Sequence, residues 1–215
     1  MEFHFELRPL GAALAYPSQG VSWFTLSDGW FWITVGGDEV LRVDYQVDRF
    51  WEEVCELAPR VLRPVPPDLV RFAESDPEQW TGIESDAAWS AELWHLGYRM
   101  FYREIPDVWS LRGWRTGDDF TITWPQGRTT VPAAAFLASV RDFDARYRAA
   151  MTDRVAHLRR EHPEKAAHNA RTLEEDAERH ATRLEREFAR PPLPEVTDLA
   201  VVRAGAAQLT GIGRK

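Results

Sequence analysis

The chain has 215 residues, a formal net charge of −8 at pH 7, and 44% hydrophobic and 28% charged residues. These values are typical of a globular protein with one large domain, or with one domain and an appendage. They argue against a nucleic-acid backbone as partner, because such binding depends on clustered positive charge, and they suit a basic protein partner.

Cysteine content and hydropathy exclude further classes. The single cysteine, Cys55, excludes an intramolecular disulfide and a cysteine-based zinc site, and we expect it to be a small core residue on a helix. The first twenty residues lack the basic and apolar regions of a signal peptide, and no run approaches 18 apolar residues. We therefore expect a cytoplasmic protein with no membrane association.

Alternating apolar residues predict the first strands. Residues 3–8, FHFELR, alternate as a half-buried strand does. Turn signals at Ser27-Asp28-Gly29 and Gly36-Gly37-Asp38 then divide the following region into a meander. Its predicted strands cover about 22–26, 30–35 and 39–43.

The two faces of this predicted meander differ in composition. Period-two alternation assigns an apolar set to the core: Phe24, Leu26, Phe31, Ile33, Val35, Leu41 and Val43. The other face carries three indoles among mostly polar residues: Trp23, Thr25, Trp30, Trp32, Thr34, Val40 and Arg42. Either residues 75–104 cover this second face, or it binds a ligand or a protein. The candidate binding residues are Trp23, Trp30, Trp32, Arg42 and the turn residue Asp28.

Helical spacing predicts the remaining elements of the first 160 residues. Helices are expected over about 45–60 and 67–74, and a third is expected to begin at Ser85-Asp86 and end at Gly97. A second meander is predicted from strands at 108–115, 120–124 and 127–131. The strongest helix begins at Pro132, with apolar residues every three or four positions up to Leu158.

The C-terminal part is predicted to be a helical extension. Pro163 interrupts the long helix, and 164–188 then shows a thin, alanine-rich apolar stripe on a charged background. We expect this segment to pack on the preceding helix or to form a homo-oligomer through 164–188. A proline-led tail is expected to hold a short helix near Thr197 and Asp198.

The predicted fold class is α+β, with two antiparallel β-meanders, each followed by a helix, and a C-terminal long-helix extension. The predicted domains are an α+β body over 1–160, an appended charged helix over 161–190 and a tail over 191–215.

Motifs of catalysis and of cofactor binding are missing from the sequence. We find no phosphate-binding glycine loop, no nucleophile elbow and no HExxH. Carboxylates lie four residues from His157, His168 and His180, but such pairs are typical of ion pairs on a charged helix. His180 lies on the apolar stripe and is expected to be a packed core histidine. We therefore predict no cofactor and no metal, and enzymatic function is not favoured.

Several stretches resemble an uncharacterised family of bacterial proteins known only as a domain of unknown function. They are FELRPL, WFTLSDGWFWITVGG, DYQVDRFWEEV, GDDFTITW and VPAAAFLASVRDFDARYRAAMTDRV, within residues 3–158. The resemblance implies a small cytosolic α+β protein, and many similar families are immunity-like or antitoxin-like neighbours of toxins. It transfers no catalytic or ligand-binding residue to this chain.

Two functions are consistent with these observations. The favoured hypothesis is a non-enzymatic protein-binding module of the immunity or defence-accessory type, acting on a basic or protein partner. The alternative is a small-molecule-binding or enzymatic domain with a Trp-lined cleft between the tryptophan face and residues 75–104.

Overall fold

The computed structural model of the chain describes residues 1–15, 20–81, 85–98, 100, 111–189 and 198–211. The expected strand positions 108–110 lie outside the described residues, as does the proline-led start of the tail, 191–197. Among the described residues, no helix has both the length and the apolar character needed to cross a membrane.

Six described strands form two three-stranded antiparallel sheets. The strands are β1 (Glu2–Leu7), β2 (Asp28–Val35), β3 (Asp38–Gln46), β4 (Arg112–Thr116), β5 (Asp119–Trp124) and β6 (Gly127–Pro132). Each sheet is a meander, with order β1-β2-β3 in the first and β4-β5-β6 in the second. The predicted α+β class, with two meanders each followed by a helix, is confirmed.

Helices make up most of the remaining described chain. They are α1 (Leu10–Ala13), α2 (Trp23–Leu26), α3 (Val47–Val61), α4 (Val70–Glu74), α5 (Asp86–Leu96), α6 (Ala133–Glu161), α7 (Pro163–His168), α8 (Ala170–Ala181), α9 (Arg183–Ala189) and α10 (Leu199–Thr210). Two short 3-10 helices, Pro67–Leu69 and Pro77–Gln79, accompany α4. Ser85 caps α5 by accepting the backbone N–H of Ala88, and Asp198 caps α10 by accepting that of Ala200.

The predicted strand over 22–26 is wrong, because Trp23–Leu26 form α2 and Ser22 is its N-cap. Ser22 and Thr25 form a capping box, in which each side chain accepts a hydrogen bond from the other residue's backbone N–H. This local arrangement starts a helical turn despite the alternation of apolar residues. The place of this strand in the first sheet is taken by β1, which pairs with β2 from Glu2↔Thr34 to Leu7↔Gly29.

The C-terminal extension is a series of helices rather than one continuous helix. α7, α8 and α9 are separated at Asn169 and Thr182. Much of the expected apolar stripe is nevertheless buried within the chain, at Ala166, Leu173, His180 and Leu184. Formation of a homo-oligomer through 164–188 stays a prediction.

The chain divides into two compact units. The first contains Met1–Ala58 and Ala134–Ala189, and the second contains Pro59–Ala133 and Arg190–Lys215. In the first unit, the inner face of the β1–β3 sheet packs aromatic rings against α6, with Phe3 6.2 Å from Phe136 and 5.6 Å from Phe143 between ring centroids. The predicted domain boundaries at 160 and 190 stay predictions.

The second unit has a separate apolar core. Its buried residues include Leu69, Phe72, Trp114 and Leu209. α5 and α10 approach closely where Gly205 faces Ala87, because a Cβ at Gly205 would lie 1.9 Å from the Ala87 carbonyl oxygen. The packing of these two helices therefore requires glycine at position 205.

Candidate recognition surface

The outward face of the β1–β3 sheet collects side chains from all three strands in cross-strand rows. One row is His4–Trp32–Arg42, and the next is Glu6–Trp30–Asp44. Residues directly opposite one another on neighbouring strands point to the same face of a sheet. We call this outward face, with the adjoining Arg8, the tryptophan face; it comprises Glu2, His4, Glu6, Arg8, Asp28, Trp30, Trp32, Thr34, Glu39, Arg42 and Asp44.

Trp32 is held at the middle of this face by neighbours on both sides. The His4 ring, from β1, stacks on Trp32 with a centroid distance of 5.3 Å and an interplanar angle of 11°. The Arg42 guanidinium, from β3, lies 4.5 Å from the Trp32 ring centroid. Such cation–π contacts fix an aromatic ring and its cation together. Trp32 is therefore a half-buried ring with a defined orientation.

Trp30 has a similar arrangement with Arg8. The Arg8 guanidinium lies 5.3 Å from the Trp30 ring centroid. Its Nη1 donates to both carboxylate oxygens of Asp28 at 3.2 Å, and its Nη2 donates to Asp44 at 2.5 Å. The hydrogen bond to Asp44, followed by that to Asp28, raises the pKa of Arg8. Arg8 therefore connects both edges of the sheet beside Trp30.

The charge of the tryptophan face is predominantly negative. It carries five carboxylates, Glu2, Glu6, Asp28, Glu39 and Asp44, but two guanidinium groups, Arg8 and Arg42. Arg42 donates to Glu39 from both Nε and Nη2, and this hydrogen bonding lowers the pKa of Glu39. With five carboxylates against two guanidinium groups, an approaching cation meets a surplus of negative charge.

The structure places four of the five predicted candidate residues together. Trp30, Trp32 and Arg42 lie on the tryptophan face as expected from alternation, and Asp28, expected in a turn, joins them as the first residue of β2. Trp23 does not, because it lies on α2 with an exposed fraction of 3%. Its backbone N–H donates to Asp176 at 2.8 Å, and its ring lies 4.7 Å from the His180 ring. Trp23 is a core residue of the first unit.

Sequence reasoning missed His4, Arg8 and Asp44 as members of this surface. His4 and Arg8 belong to FHFELR, where they alternate with the apolar residues of the predicted first strand. That alternation marked them as outward-facing. What the sequence did not supply was the pairing of β1 with β2, which joins residues about thirty positions apart.

A second polar cluster in the first unit is buried. The Asp48 carboxylate accepts a hydrogen bond from the Tyr147 hydroxyl at 2.7 Å and lies 2.6 Å from His180 Nε2. His180 Nδ1 lies 2.7 Å from the Asp176 carbonyl oxygen, so both ring nitrogens face oxygen acceptors. Burial raises the pKa of Tyr147 well above its ordinary value.

This buried cluster joins helices rather than forming an accessible site. The exposed fractions of the His180 and Asp48 side chains are 0% and 2%, so no substrate reaches them in this conformation. The indole N–H of Trp51 donates to Asp144 at 2.9 Å, and Arg148 pairs with the same carboxylate. The expectation that His180 is a packed core histidine is confirmed.

Among the described residues, no group of three or more histidine, cysteine, aspartate or glutamate side chains is positioned to hold a metal ion. Cys55 is fully buried, and burial raises the pKa of its thiol. The thiol therefore behaves as a small core group rather than as a nucleophile.

The fold and the tryptophan face define an α+β protein with two three-stranded antiparallel sheets and one mixed aromatic and acidic sheet face. A family model described as a family of unknown function (DUF5984) matches residues 2–205, and the chain belongs to that family. The match includes α7, α8 and α9, which lie beyond the stretches that carried the sequence resemblance. No curated protein and no solved structure matches the chain.

Proposed function

We propose that this protein is a non-enzymatic protein-binding module of the immunity or defence-accessory type, and that its tryptophan face binds a basic protein partner. The observation that carries the proposal is the combination of two oriented indoles, Trp30 and Trp32, with a surplus of carboxylates around them.

The orientation of the two rings favours binding. Tryptophan is enriched among residues that contribute most to protein–protein affinity, and a ring that is already fixed loses little entropy on association. His4 and Arg42 hold Trp32 in place, and Arg8 holds Trp30. A partner can cover the half-buried rings without first ordering them.

The charge of the surface favours a basic partner and a fast encounter. Complementary potentials raise association rates and penalise partners of the wrong sign. Asp44 and Glu39 lie on β3 and the exposed Glu6 lies on β1, so cationic side chains of a partner can pair with carboxylates on both sides of the two indoles. The binding is therefore expected to weaken as the salt concentration rises.

The test is a comparison of captured proteins between matched baits. The intact protein, Trp32→Ser and Trp89→Ser would each be immobilised and exposed to a lysate of the organism that encodes the chain. Trp89, on α5, is the control because its side chain is exposed and it belongs to the second unit, whereas the tryptophan face belongs to the first. A protein recovered with wild type and with Trp89→Ser, but not with Trp32→Ser, would be identified by mass spectrometry and purified.

Calorimetry with that purified protein then measures the effect directly. We expect a basic partner whose affinity falls by about tenfold or more in Trp32→Ser, the size of a typical aromatic anchor. Glu39→Lys should weaken binding most at low salt. Equal recovery by the Trp32→Ser bait, or recovery of acidic partners alone, would refute the proposal.

A further inference from the structure

The outer edge of β1 carries backbone groups that point away from its sheet. In the sheet order β1-β2-β3, β1 pairs with β2 on one side, and no other strand of the described residues pairs with its outer edge. The Arg8 N–H bonds to the Asp28 carbonyl oxygen at 2.9 Å, so even-numbered residues direct their backbone groups towards β2. The backbone groups of Phe3 and Phe5 therefore point towards the outer edge.

Side chains of α6 already donate hydrogen bonds to backbone carbonyl groups at this edge. Arg146 Nη2 donates to the Phe3 carbonyl oxygen at 2.7 Å, and Ser139 Oγ donates to the Met1 carbonyl oxygen at 2.7 Å. These are the acceptor positions that N–H groups of a neighbouring strand would use. Arg146 also donates from Nε to Asp142 at 2.7 Å, and its side chain is 43% exposed. Arg146 is exposed and holds Asp142 as a second partner, and Ser139 Oγ has a second acceptor in the Ala135 carbonyl oxygen at 3.2 Å, so both donors can release the edge.

A cleft of about 470 Å³ lies along the same edge. Its lining includes Glu2 and His4 from β1, and Ala138, Ser139 and Asp142 from α6. This volume falls within the range of clefts that hold small ligands and peptide segments. Small side chains at positions 138 and 139 leave room beside the strand.

The charges at this edge favour a basic segment. Glu2 and Glu6 are exposed, lie four positions apart on β1 and point to the tryptophan face. The positive charge of Arg146 is offset by Asp142. His4, between the two glutamates, has Glu2 3.5 Å from its Nε2. An extended segment beside β1 would therefore meet two carboxylates, those of Glu2 and Glu6, which lie four residues apart.

We infer that the partner contributes an extended basic segment that adds to the outer edge of β1 as a fourth strand, displacing Arg146 and Ser139 from the backbone carbonyls. This inference rests on the proposed function, because the added strand extends the tryptophan face and supplies the basic partner. Strand addition of this kind gains affinity from backbone hydrogen bonds and specificity from alternate side chains.

The register of β1 defines the sequence that such a segment requires. Residues opposite Glu2 and Glu6 lie on the tryptophan face and must be lysine or arginine, so basic residues occupy the first and fifth positions. Residues opposite Phe3 and Phe5 point to the α6 side, where small or β-branched side chains fit beside Ala138. The pattern is symmetric, so it serves a segment of either direction.

The experiment uses the full-length protein and a defined peptide with Lys-Val-Thr-Val-Lys at its centre and Gly-Ser flanks. Binding is followed by NMR on isotope-labelled protein, and amide exchange is measured at Phe3 and Phe5. We expect exchange at both amides to slow by about fivefold or more at saturation, because each N–H enters a strand ladder. A peptide with the same composition but with its two lysines adjacent should bind with an affinity at least about fivefold lower.

Variants separate strand addition from simple charge attraction. Glu2→Lys and Glu6→Lys should each weaken binding by about fivefold, whereas Glu161→Lys, at the exposed end of α6, should change it by less than about twofold. Arg146→Met should strengthen binding more than Arg141→Met, a control that removes the same charge from the same helix, because Arg146 competes for the Phe3 carbonyl. Weaker binding in Arg146→Met would overturn the inference.

Other outcomes distinguish this inference from the proposed function. No peptide binding, or binding without slower exchange at Phe3 and Phe5, overturns strand addition. If capture of the partner still depends on Trp32 in that case, the proposed function stands alone. If Trp32→Ser captures the partner as well as wild type, the proposed function fails whatever the peptide does.

Discussion

The buried carboxylate of Asp48 offers the sharpest test of the packing in the first unit. Asp48 is the second residue of α3 and accepts hydrogen bonds from Tyr147 on α6 and His180 on α8. Asp48→Ala would leave both donors buried without this acceptor. Because the three residues come from three helices, the substitution tests how these helices are joined.

The expected loss follows from the number and kind of bonds removed. A buried donor that is left without its acceptor costs about 1–3 kcal/mol, and Asp48→Ala leaves two such groups, from Tyr147 and His180. We therefore expect Asp48→Ala to lower the free energy of unfolding by about 2–5 kcal/mol. Such a loss is a large share of the total stability of a domain, which is about 5–15 kcal/mol.

The assay is urea unfolding followed by circular dichroism, with the m-value compared between variants. Glu56→Ala is the control, because Glu56 is an exposed carboxylate on the same helix and its partner Arg183 also pairs with Glu187. Its loss should cost less than about 1 kcal/mol. In a Tyr147→Phe background, Asp48→Ala should cost about 1 kcal/mol less than in wild type, since one bond is already absent.

A loss below about 1 kcal/mol for Asp48→Ala, comparable with that of Glu56→Ala, would refute this reasoning. It would mean that water or another group replaces the carboxylate, and that the cluster does not join the three helices.

Three further residues give separate tests. Gly205→Ala should lower stability by about 1–3 kcal/mol, because its Cβ would meet the Ala87 carbonyl; an equal loss in Gly11→Ala, which has no atom within 4 Å, would contradict this reason. Burial raises the pKa of Tyr147, so the folded protein keeps a proton that the unfolded chain releases above about pH 10, and stability falls as pH rises. Urea unfolding at several pH values should show that the free energy of unfolding of Tyr147→Phe falls less steeply with pH than that of wild type. The same pH dependence in both proteins would contradict this reason. Cys55 should react with a thiol reagent only as fast as unfolding exposes it, and rapid labelling of the native protein would be inconsistent with its burial.

The local sequence pattern was sufficient to predict a strand or helix where one face of that element is uniformly apolar. In β2, Phe31, Ile33 and Val35 alternate strictly with polar or aromatic residues, and the three are buried as predicted. α6 follows its apolar spacing from Phe136 to Leu158 and ends before Pro163, which begins α7. These predictions hold because the burial of one face and the backbone limits of proline act over a few residues.

Local pattern failed where two local signals competed. Residues 22–26 alternate as a strand would, but Ser22 and Thr25 also form a capping box. Trp23 also has partners for its N–H and its ring on α8, about 150 residues away. These tertiary contacts support the helical turn that the capping box starts, and no local pattern predicts them.

The sequence by itself determined the α+β class, the alternation that puts Trp30 and Trp32 on one side of β2, and the acidic character of the chain. Tertiary structure alone decided that His4 and Arg42 flank Trp32, that Arg8 bridges Asp28 and Asp44, and that Asp48 joins Tyr147 and His180. The physical reason is the range of the forces involved. The periodicity of apolar residues reflects the burial of one face of a single strand or helix. Strand register and helix packing bring together side chains that are distant in the sequence, and local periodicity does not predict which of them meet.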